Sequence, residues 1–257
     1  MRANYHTHTW RCHHAEADER AYIERAIEAG YEILGFSDHT PYPFPADHDS
    51  WFRVPVELLE NYVTTISNLK KEYEKEITIY LGLEAEYYPA YFGQLQELLR
   101  PYPIDYMILG QHYIGNEIGQ IYNSQKTYSV KKLKAYCDQV IEAMETGYFT
   151  YIAHPDLLNY KGLKRIYQEE MGRVCRKAKE LHIPLEINFL GLMEKRNYPC
   201  GKFWELAGRY QNDVILGCDA HEARYVWSPK AEALAGKKLV DRYQLHLIDK
   251  VELRKPY

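Results

Sequence analysis

The chain has 257 residues, of which 46% are hydrophobic and 26% charged, which is typical of a globular protein with a substantial core. A net charge of −4 gives no general attraction to nucleic acid, and neither a membrane-spanning run nor a signal peptide pattern is found. The five cysteines are odd in number and form no C-x-x-C pair, which indicates reduced thiols and neither a disulfide framework nor a zinc ribbon, and a cytoplasmic location is expected.

Strands and helices are predicted to alternate along the chain. The predicted strands cover residues 2–6, 33–37, 77–83, 106–110, 149–153, 184–188 and 214–217. Apolar stripes at helical spacing predict helices near 18–29, 59–69, 92–99, 133–144, 171–181, 202–210 and 223–235, and residues 239–253 contain one last strand. This alternation favours a parallel sheet, and the number of units favours a barrel over an open sheet. No linker or repeat interrupts the pattern, so residues 1–257 are predicted to form one domain.

The segment from Thr40 to Pro55 is rich in proline and aromatic residues and is too long for a simple connection. It is predicted to form a lid or a pocket wall. The aromatic side chains that would surround an imidazole-sized group are Tyr42, Phe44, Trp51, Phe52 and Tyr113. Ordinary loop packing explains these aromatic residues equally well.

Potential metal ligands follow nearly every predicted strand. They are His6 and His8, Asp38 and His39, Glu84, His112, His154, and Asp219 with His221. In a barrel of parallel strands all these strand ends open on one face, so residues distant in sequence would converge there. A satisfied core histidine or a helix-capping aspartate explains any one of them, but not the set. Histidine and carboxylate ligands suit zinc, iron or manganese.

These residues lie in motifs that resemble those of the PHP (polymerase and histidinol phosphatase) superfamily, in the same order along the chain. The motifs are His6-x-His8, Ser37-Asp38-His39, Gly82-Leu83-Glu84-Ala85, Gln111-His112, Ala153-His154-Pro155 and Gly217-Cys218-Asp219-Ala220-His221. The last motif, together with Leu185-Glu186-Ile187-Asn188 and Asn197-Tyr198-Pro199, resembles the monofunctional histidinol-phosphatase branch. The resemblance implies a distorted TIM-like (β/α)7 barrel with a metal cluster at the C-terminal ends of the strands.

The resemblance also implies three divalent metal ions and assigns their ligands. The first ion would be held by His6, His8, Glu84 and Asp219, the second by Glu84, His112 and His154, and the third by His14, His39 and His221. His14 is chosen over His13 for its spacing from His6. Glu86 lies on the same strand face as Glu84 and could also reach the site. Asp38 is expected to orient a histidine, and Cys12 is either a competing soft ligand or a small buried thiol.

The implied activity is hydrolysis of L-histidinol phosphate to L-histidinol and phosphate, a step of histidine biosynthesis. A carboxylate that bridges two ions allows them to share a water of lowered pKa, which would attack phosphorus directly without a covalent phosphoenzyme. The residues expected to serve catalysis are Glu84, Asp219 and His221. Either Asp219 or a metal-bound water would protonate the leaving alkoxide.

Basic residues after two strands are candidates for the phosphate contact. Arg196 and Arg165 lead because arginine binds phosphate with two parallel hydrogen bonds, and His112 and His154 would lie beside the same group. The lysine candidates are Lys161, Lys164 and Lys195, and the alternative for each basic residue is a solvated surface charge. Relatives usually have an arginine where this chain has Met193, which puts the phosphate contact in question.

Two other functions are compatible with the sequence. One is another PHP activity, such as a phosphotyrosine-protein phosphatase or a small-nucleotide phosphodiesterase or exonuclease. The other is a structural or binding module without metal, which the complete set of ligand types disfavours. The expected partner is a small phosphorylated substrate, with no long nucleic acid and no membrane, and the oligomeric state stays open.

Overall fold

The fold is built on one sheet of eight parallel strands that follow one another in chain order, and the computed structural model describes residues 2–226 and 229–257. The strands are β1 (Ala3–Asn4), β2 (Ile33–His39), β3 (Thr78–Ala85), β4 (Tyr106–Leu109), β5 (Phe149–Ile152), β6 (Leu185–Asn188), β7 (Asp213–Gly217) and β8 (His246–Leu247). The sheet is curled into a distorted, TIM-like barrel, as predicted. The short β8 confirms the strand expected in the closing segment.

Helices cover the outer face of the sheet. They are α1 (Glu19–Ala29), α2 (Leu59–Glu72), α3 (Phe92–Leu99), α4 (Val130–Glu145), α5 (Lys164–Glu180), α6 (Phe189–Met193), α7 (Gly201–Arg209) and α8 (Pro229–Tyr243). The Asp18 side chain caps the start of α1 by accepting from the Ala21 N–H, and Gly30 ends it at φ +86°, a backbone angle that glycine adopts without strain. Within the described residues, no helix is both long and apolar enough to cross a membrane.

The helices differ from the prediction in three places. The helix predicted over 223–235 is a 3₁₀ turn at Ala223–Tyr225 followed by α8, and residues 227–228 of that prediction lie outside the described chain. α5 begins earlier than predicted because its first turns are mostly polar and lack a clear apolar stripe. α6 was missed because five residues are too few to show a helical period.

The barrel closes at one end only. Beyond the ends of β1 and β7 the backbone forms a bridge between Thr7 and Ala220, in which the His8 N–H donates to the Ala220 carbonyl at 2.9 Å. At the opposite end β8 pairs with the start of β7 instead. The closed end is the one on which the strands terminate, so the predicted ligands are brought together there.

Tyrosine fills much of the barrel interior. The Tyr106 hydroxyl donates to the Tyr5 carbonyl at 2.6 Å, and the Tyr106 ring lies against the backbone of Gly35 and Gly82. A Cβ atom at either glycine would overlap that ring. The two glycines therefore create the space for an aromatic plug directly below the strand ends.

Candidate metal centre and cleft

Glu84 lies at the centre of a group of five histidines at the C-terminal ends of the strands. Glu84 is the second-last residue of β3, and its side chain, only 1% exposed, lies at the closed end of the barrel. Its Oε1 and Oε2 atoms lie 2.8–3.7 Å from imidazole nitrogens of His6, His8, His39, His112 and His154. A single carboxylate thus contacts members of all three predicted ligand sets.

The first predicted ligand set comes together across the barrel seam, the line along which the segments after β1 and β7 meet. Asp219 Oδ1 lies 3.4 Å from Nε2 of His6 and 3.1 Å from Nε2 of His8. His6 and His8 share one side of the segment after β1, as their alternation predicts, and both are fully buried. The donor atoms of His6, His8 and Asp219 all lie within 4.8 Å of one another, a separation that suits ligands of one ion.

The second predicted set, Glu84, His112 and His154, lies on the adjoining strands β3, β4 and β5. His154 Nε2 is 2.8 Å from Glu84 Oε1, and His112 Nε2 is 3.7 Å from the same oxygen. The two imidazole rings are 5.0 Å apart between centroids. Both nitrogens therefore approach the oxygen of Glu84 that faces away from His39.

The third predicted set is His14, His39 and His221, whose nitrogens lie within 4.8 Å of one another. Nε2 of His14 and Nε2 of His221 are 3.0 Å apart, a separation that suits either a hydrogen bond between the two rings or two ligands of one ion. His14 lines the cleft, whereas His13 is exposed outside the cleft lining, so the geometry agrees with the choice of His14.

Cys12 also lies within 4.8 Å of His8 and His221, but these three residues do not form a good ligand set. The rings of His8 and His221 stack with an interplanar angle of 16° and a centroid distance of 4.1 Å. Because imidazole lone pairs lie in the ring plane, stacked rings cannot point both of them at one ion. Cys12 instead donates to the Thr9 carbonyl at 3.1 Å, as expected for a small buried thiol.

Several buried polar atoms of this group have no hydrogen-bond partner within the described part of the chain. They are Nε2 of His6, both ring nitrogens of His8, Nδ1 of His39 and of His154, and Oε2 of Glu84. Leaving one such atom unpaired costs about 1–3 kcal/mol, so a concentration of them at one point needs an explanation. Imidazole nitrogens and carboxylate oxygens that converge on one space are the donor set of a metal centre.

Carboxylates behind the histidines fix their orientation. Glu186 Oε1 lies 2.8 Å from Nδ1 of His6, and Glu86 Oε1 lies 2.7 Å from Nδ1 of His112. A carboxylate can only accept here, so each Nδ1 carries a proton and each Nε2 is the ring nitrogen that faces the centre. Glu86, which the sequence leaves open as a possible ligand, thus contacts the back of a predicted ligand, and Glu186 does the same without having been predicted. The available signal for Glu186 was an acidic side chain in the short, fully buried β6.

Two glycines make room for these carboxylates. A Cβ atom at Gly110 would overlap Oε1 of Glu84, and one at Gly217 would overlap Oε1 of Glu186. Neither glycine has an unusual backbone angle. Both positions therefore require glycine because the two carboxylates occupy the space that a side chain would need.

The charges in the centre alter its protonation. Burial lowers the pKa of His6, but the carboxylates of Glu186, Asp219 and Glu84 outweigh it and raise the pKa to about 10. Burial likewise raises the pKa of Glu84, yet the surrounding histidines hold it well below its usual range. For Asp219 burial is again outweighed, by His6 and His8, and the pKa falls well below normal. Both carboxylates are thus ionised at neutral pH, which suits them as ligands.

A cleft of about 610 Å³ opens above the centre. Its predicted wall residues Trp51, Phe52 and Tyr113 line it, whereas Tyr42 and Phe44 pack behind it. The remaining apolar or aromatic lining, which the sequence analysis did not assign, comes from Leu190, Tyr122, Tyr198 and Tyr225. Glu16, Glu194 and Glu222 also line the cleft.

Arg196 is the one arginine or lysine of the cleft lining among the residues that the structure describes. Its Nη1 donates to the Tyr198 hydroxyl at 2.9 Å and its Nε to Glu194 at 2.7 Å. Arg165 lies exposed in the first turn of α5 and is not part of the cleft. Lys161, Lys164 and Lys195 are likewise outside the cleft lining.

A known family model matches most of this chain, including most of the residues of the centre. Residues 4–189 match the family model described as the PHP domain, and this range includes seven of the nine predicted metal ligands. The chain belongs to the PHP family.

PHP relatives of this chain include histidinol phosphatases. A probable histidinol-phosphatase of Deinococcus radiodurans is 31% identical over 156 residues, which cover 59% of each chain. The histidinol-phosphatase of Bacillus subtilis is 31% identical over 159 residues, or 57% of each chain. The aligned region thus spans less than two thirds of both relatives. The family match confirms the predicted PHP family, and these relatives carry the name of its histidinol-phosphatase branch.

A solved PHP structure shows the same fold over nearly the whole chain. It is the histidinol phosphate phosphatase of Lactococcus lactis complexed with zinc, L-histidinol and phosphate. The TM-score is 0.74 at 21% sequence identity, with 98% of each chain covered. The likeness confirms the distorted barrel.

Proposed function

We propose that this protein is a metal-dependent phosphomonoesterase that hydrolyses L-histidinol phosphate to L-histidinol and phosphate, with residues 1–257 acting as one barrel domain. The observation that carries the proposal is the position of Glu84, which touches histidines of three ligand sets at the floor of an aromatic cleft with a single arginine in its wall. The names of the relatives support the same activity.

Three divalent ions of zinc, iron or manganese would be held by the three ligand sets described above. When bound, such ions lower the pKa of a coordinated water and neutralise charge on phosphoryl oxygens. Glu84 and Asp219 stay ionised near neutral pH and keep two negative charges at the floor. His221 borders Asp219, with Nδ1 3.0 Å from its backbone carbonyl, and forms part of the same surface.

Arg196 would bind the phosphate at the wall of the cleft. Its contacts with Tyr198 and Glu194 hold the guanidinium in place, and its planar fork matches two phosphate oxygens. His112 and His154 lie on the floor of the same cleft and would contact the phosphate group through the metal centre.

The rest of the cleft suits an imidazole with a short cationic chain. Trp51, Phe52 and Tyr113 offer ring faces and edges of the size of the imidazole. The carboxylates of Glu16 and Glu222 lie in the same lining and would meet an ammonium group. A phosphate ester whose organic group carries no positive charge would leave these carboxylates without a partner in the substrate.

The experiment is phosphate release by the purified protein from three substrates, with and without a metal chelator. The substrates are L-histidinol phosphate, a phosphotyrosine peptide and a nucleoside monophosphate. We expect a selective rate on L-histidinol phosphate that the chelator abolishes and added metal restores. Equal rates on all three substrates, or a rate that survives the chelator, would contradict the proposal. Trapping of a phosphorylated residue after an acid quench would contradict direct attack by water.

A further inference from the structure

Arg53 is a buried arginine at the end of the loop formed by residues 40–55, and it lines neither the cleft nor the metal centre. Its side chain is 3% exposed. Nε donates to Oε2 of Glu117 at 2.5 Å, Nη1 donates to the Thr40 carbonyl at 3.2 Å, and Nη2 lies 2.8 Å from Oε2 of Glu86. One guanidinium thus joins the loop to two separate carboxylates.

Glu86 connects this arginine to the metal centre. Its other oxygen, Oε1, accepts from Nδ1 of His112 at 2.7 Å. Because Nδ1 is the donor, the lone pair of His112 is on Nε2, which faces Oε1 of Glu84 at 3.7 Å. Arg53 and Glu86 are close but poorly aligned for a hydrogen bond, so their attraction is mainly between opposite charges in a buried setting.

The loop carries two residues of the cleft immediately before Arg53. The Phe52 ring packs edge-on against His39 at 5.0 Å and against His112 at 6.0 Å between centroids. The Arg53 guanidinium lies 4.5 Å from the same Phe52 ring. A displacement of Arg53 would therefore move both the cleft wall and a neighbour of two predicted ligands.

We propose that Arg53 is a positioning residue that acts through Glu86 to hold the His112 imidazole with Nε2 toward Glu84, and that anchors the Trp51–Phe52 segment against the cleft.

The geometry requires arginine and not only a positive charge. The guanidinium donates in different directions at once, to Glu117, to Thr40 and to the Tyr88 hydroxyl at 3.2 Å. It also lies among aromatic rings, with Tyr42 at 5.1 Å and Tyr88 at 5.7 Å from its central carbon. A lysine ammonium is a single point and cannot make these contacts together.

Four variants of the full-length protein test this role. Arg53→Met removes both the positive charge and the N–H donors of the guanidinium, whereas Arg53→Lys keeps the charge but not the spread of the donors. Glu117→Gln removes the charge of one of the two carboxylates that hold the Arg53 guanidinium, so it tests the loop side of the network. Ile66→Val, in the core of α2 away from the cleft, controls for loss of stability.

Two measurements are made on each variant. The first is the tautomer of His112, read from the ¹⁵N chemical shifts of the metal-free protein. The second is the number of bound Zn²⁺ ions and the rate of their transfer to a chromogenic chelator. The second readout rests on the proposed role of His112 as a metal ligand, whereas the first does not need metal or activity.

We expect His112 to carry its proton on Nδ1 in the wild-type protein and to become a mixture of tautomers in Arg53→Met. We also expect one class of Zn²⁺ to leave Arg53→Met about 10-fold faster, as when partners of metal ligands are lost in other proteins. Arg53→Lys should fall between Arg53→Met and wild type, and it carries the test if Arg53→Met does not fold. Glu117→Gln should change both measurements in the same direction as Arg53→Met but by less, and Ile66→Val should match wild type in both.

Wild-type tautomer and Zn²⁺ release in folded Arg53 variants would overturn the proposal, as would equal changes in Ile66→Val. If the wild-type protein bound no Zn²⁺, the proposed function would fail. The tautomer of His112 would then still decide whether Arg53 positions it.

Discussion

Glu186 lies directly behind His6, with Oε1 2.8 Å from Nδ1 of the imidazole. Its second oxygen accepts the backbone N–H of His154 at 3.0 Å. One carboxylate on β6 therefore orients a ligand of the first predicted ion and the backbone of a ligand of the second.

Glu186→Gln should weaken metal binding although the side chain keeps its size. Glutamine has one accepting oxygen where three N–H donors, from His6, His154 and Asn188, must be satisfied, so its amide NH₂ would meet at least one of them. Loss of such an orienting partner typically costs about 10–100-fold in metal affinity. The measurement is competition for Zn²⁺ against a chelator of known affinity. Glu97→Gln, on the exposed surface of α3, should leave the affinity unchanged.

Gly110→Ala should displace Glu84 from the centre of the cluster. The added methyl group would occupy the position of Oε1, and Glu84 contacts every predicted ligand set. We expect kcat/KM to fall by more than about 100-fold, because even residues that only orient ligands can cost that much. Gly93→Ala is the matched control, since nothing lies within 4 Å of a Cβ atom there. Equal activity of the two alanine variants would contradict the central role of Glu84.

Metal binding near pH 7 should release protons, chiefly from the first predicted site. Burial lowers the pKa of His6, but its carboxylate neighbours raise it to about 10, and that of His8 is raised well above normal by its contacts with Asp219 and Asp38. Both are protonated in the metal-free protein and must lose their protons to bind an ion, so affinity should rise with pH. By contrast, burial holds the pKa of His39 and of His221 well below normal, so these two are neutral already.

Calorimetry in two buffers of different ionisation enthalpy measures this proton release. The heat of Zn²⁺ binding should differ between the buffers at pH 7, and the difference should shrink as the pH approaches about 10, where His6 loses its proton. The same heat in both buffers at pH 7 would show that His6 and His8 are neutral before metal binds.

Arg196→Met should reduce kcat/KM for a phosphomonoester by about 10–100-fold, which corresponds to the roughly 1.5–3 kcal/mol of a hydrogen bond to a charged group. The effect should depend on geometry, so Arg196→Lys should recover only part of the loss. Steady-state kinetics measure both. Arg165→Met should leave the kinetics unchanged because Arg165 lies exposed on α5 outside the cleft. A larger effect at Arg165 than at Arg196 would reverse the assignment of the phosphate contact.

The sequence predicted the fold, and it predicted that the candidate ligands would lie together at one end of the strands, because both follow local rules. Strand and helix periods give the alternating units, and polar residues such as His154 stand out where an apolar strand ends. For example, Asp38 and His39 are the last two residues of the seven-residue β2. No long-range information is needed to expect these residues on one face.

The partners of the ligands could not be predicted in the same way. Glu186 and His6 are 180 positions apart, and nothing local to either one indicates their contact. The burial of Arg53 depends equally on how the loop packs beside the end of β3, and its aromatic and apolar neighbours in sequence do not indicate that it contacts Glu86 and Glu117. Arg165 and Arg196 looked alike as basic residues after strands, and only the curvature of the sheet separates an exposed helix start from the cleft wall.

The single seam of the barrel has a consequence for the order in which the centre assembles. His14 and His221 are 207 positions apart, yet their nitrogens meet at 3.0 Å across the bridge between Thr7 and Ala220. The first and third ligand sets draw residues from both sides of this seam, whereas Glu84, His112 and His154 belong to three adjoining strands. All residues of the second set have been synthesised once β5 and the segment after it are complete, whereas Asp219 and His221 follow only after β7. The first and third ions would thus join β7 to β1, and separation of these two strands would release both ions while the second ion keeps all its ligands.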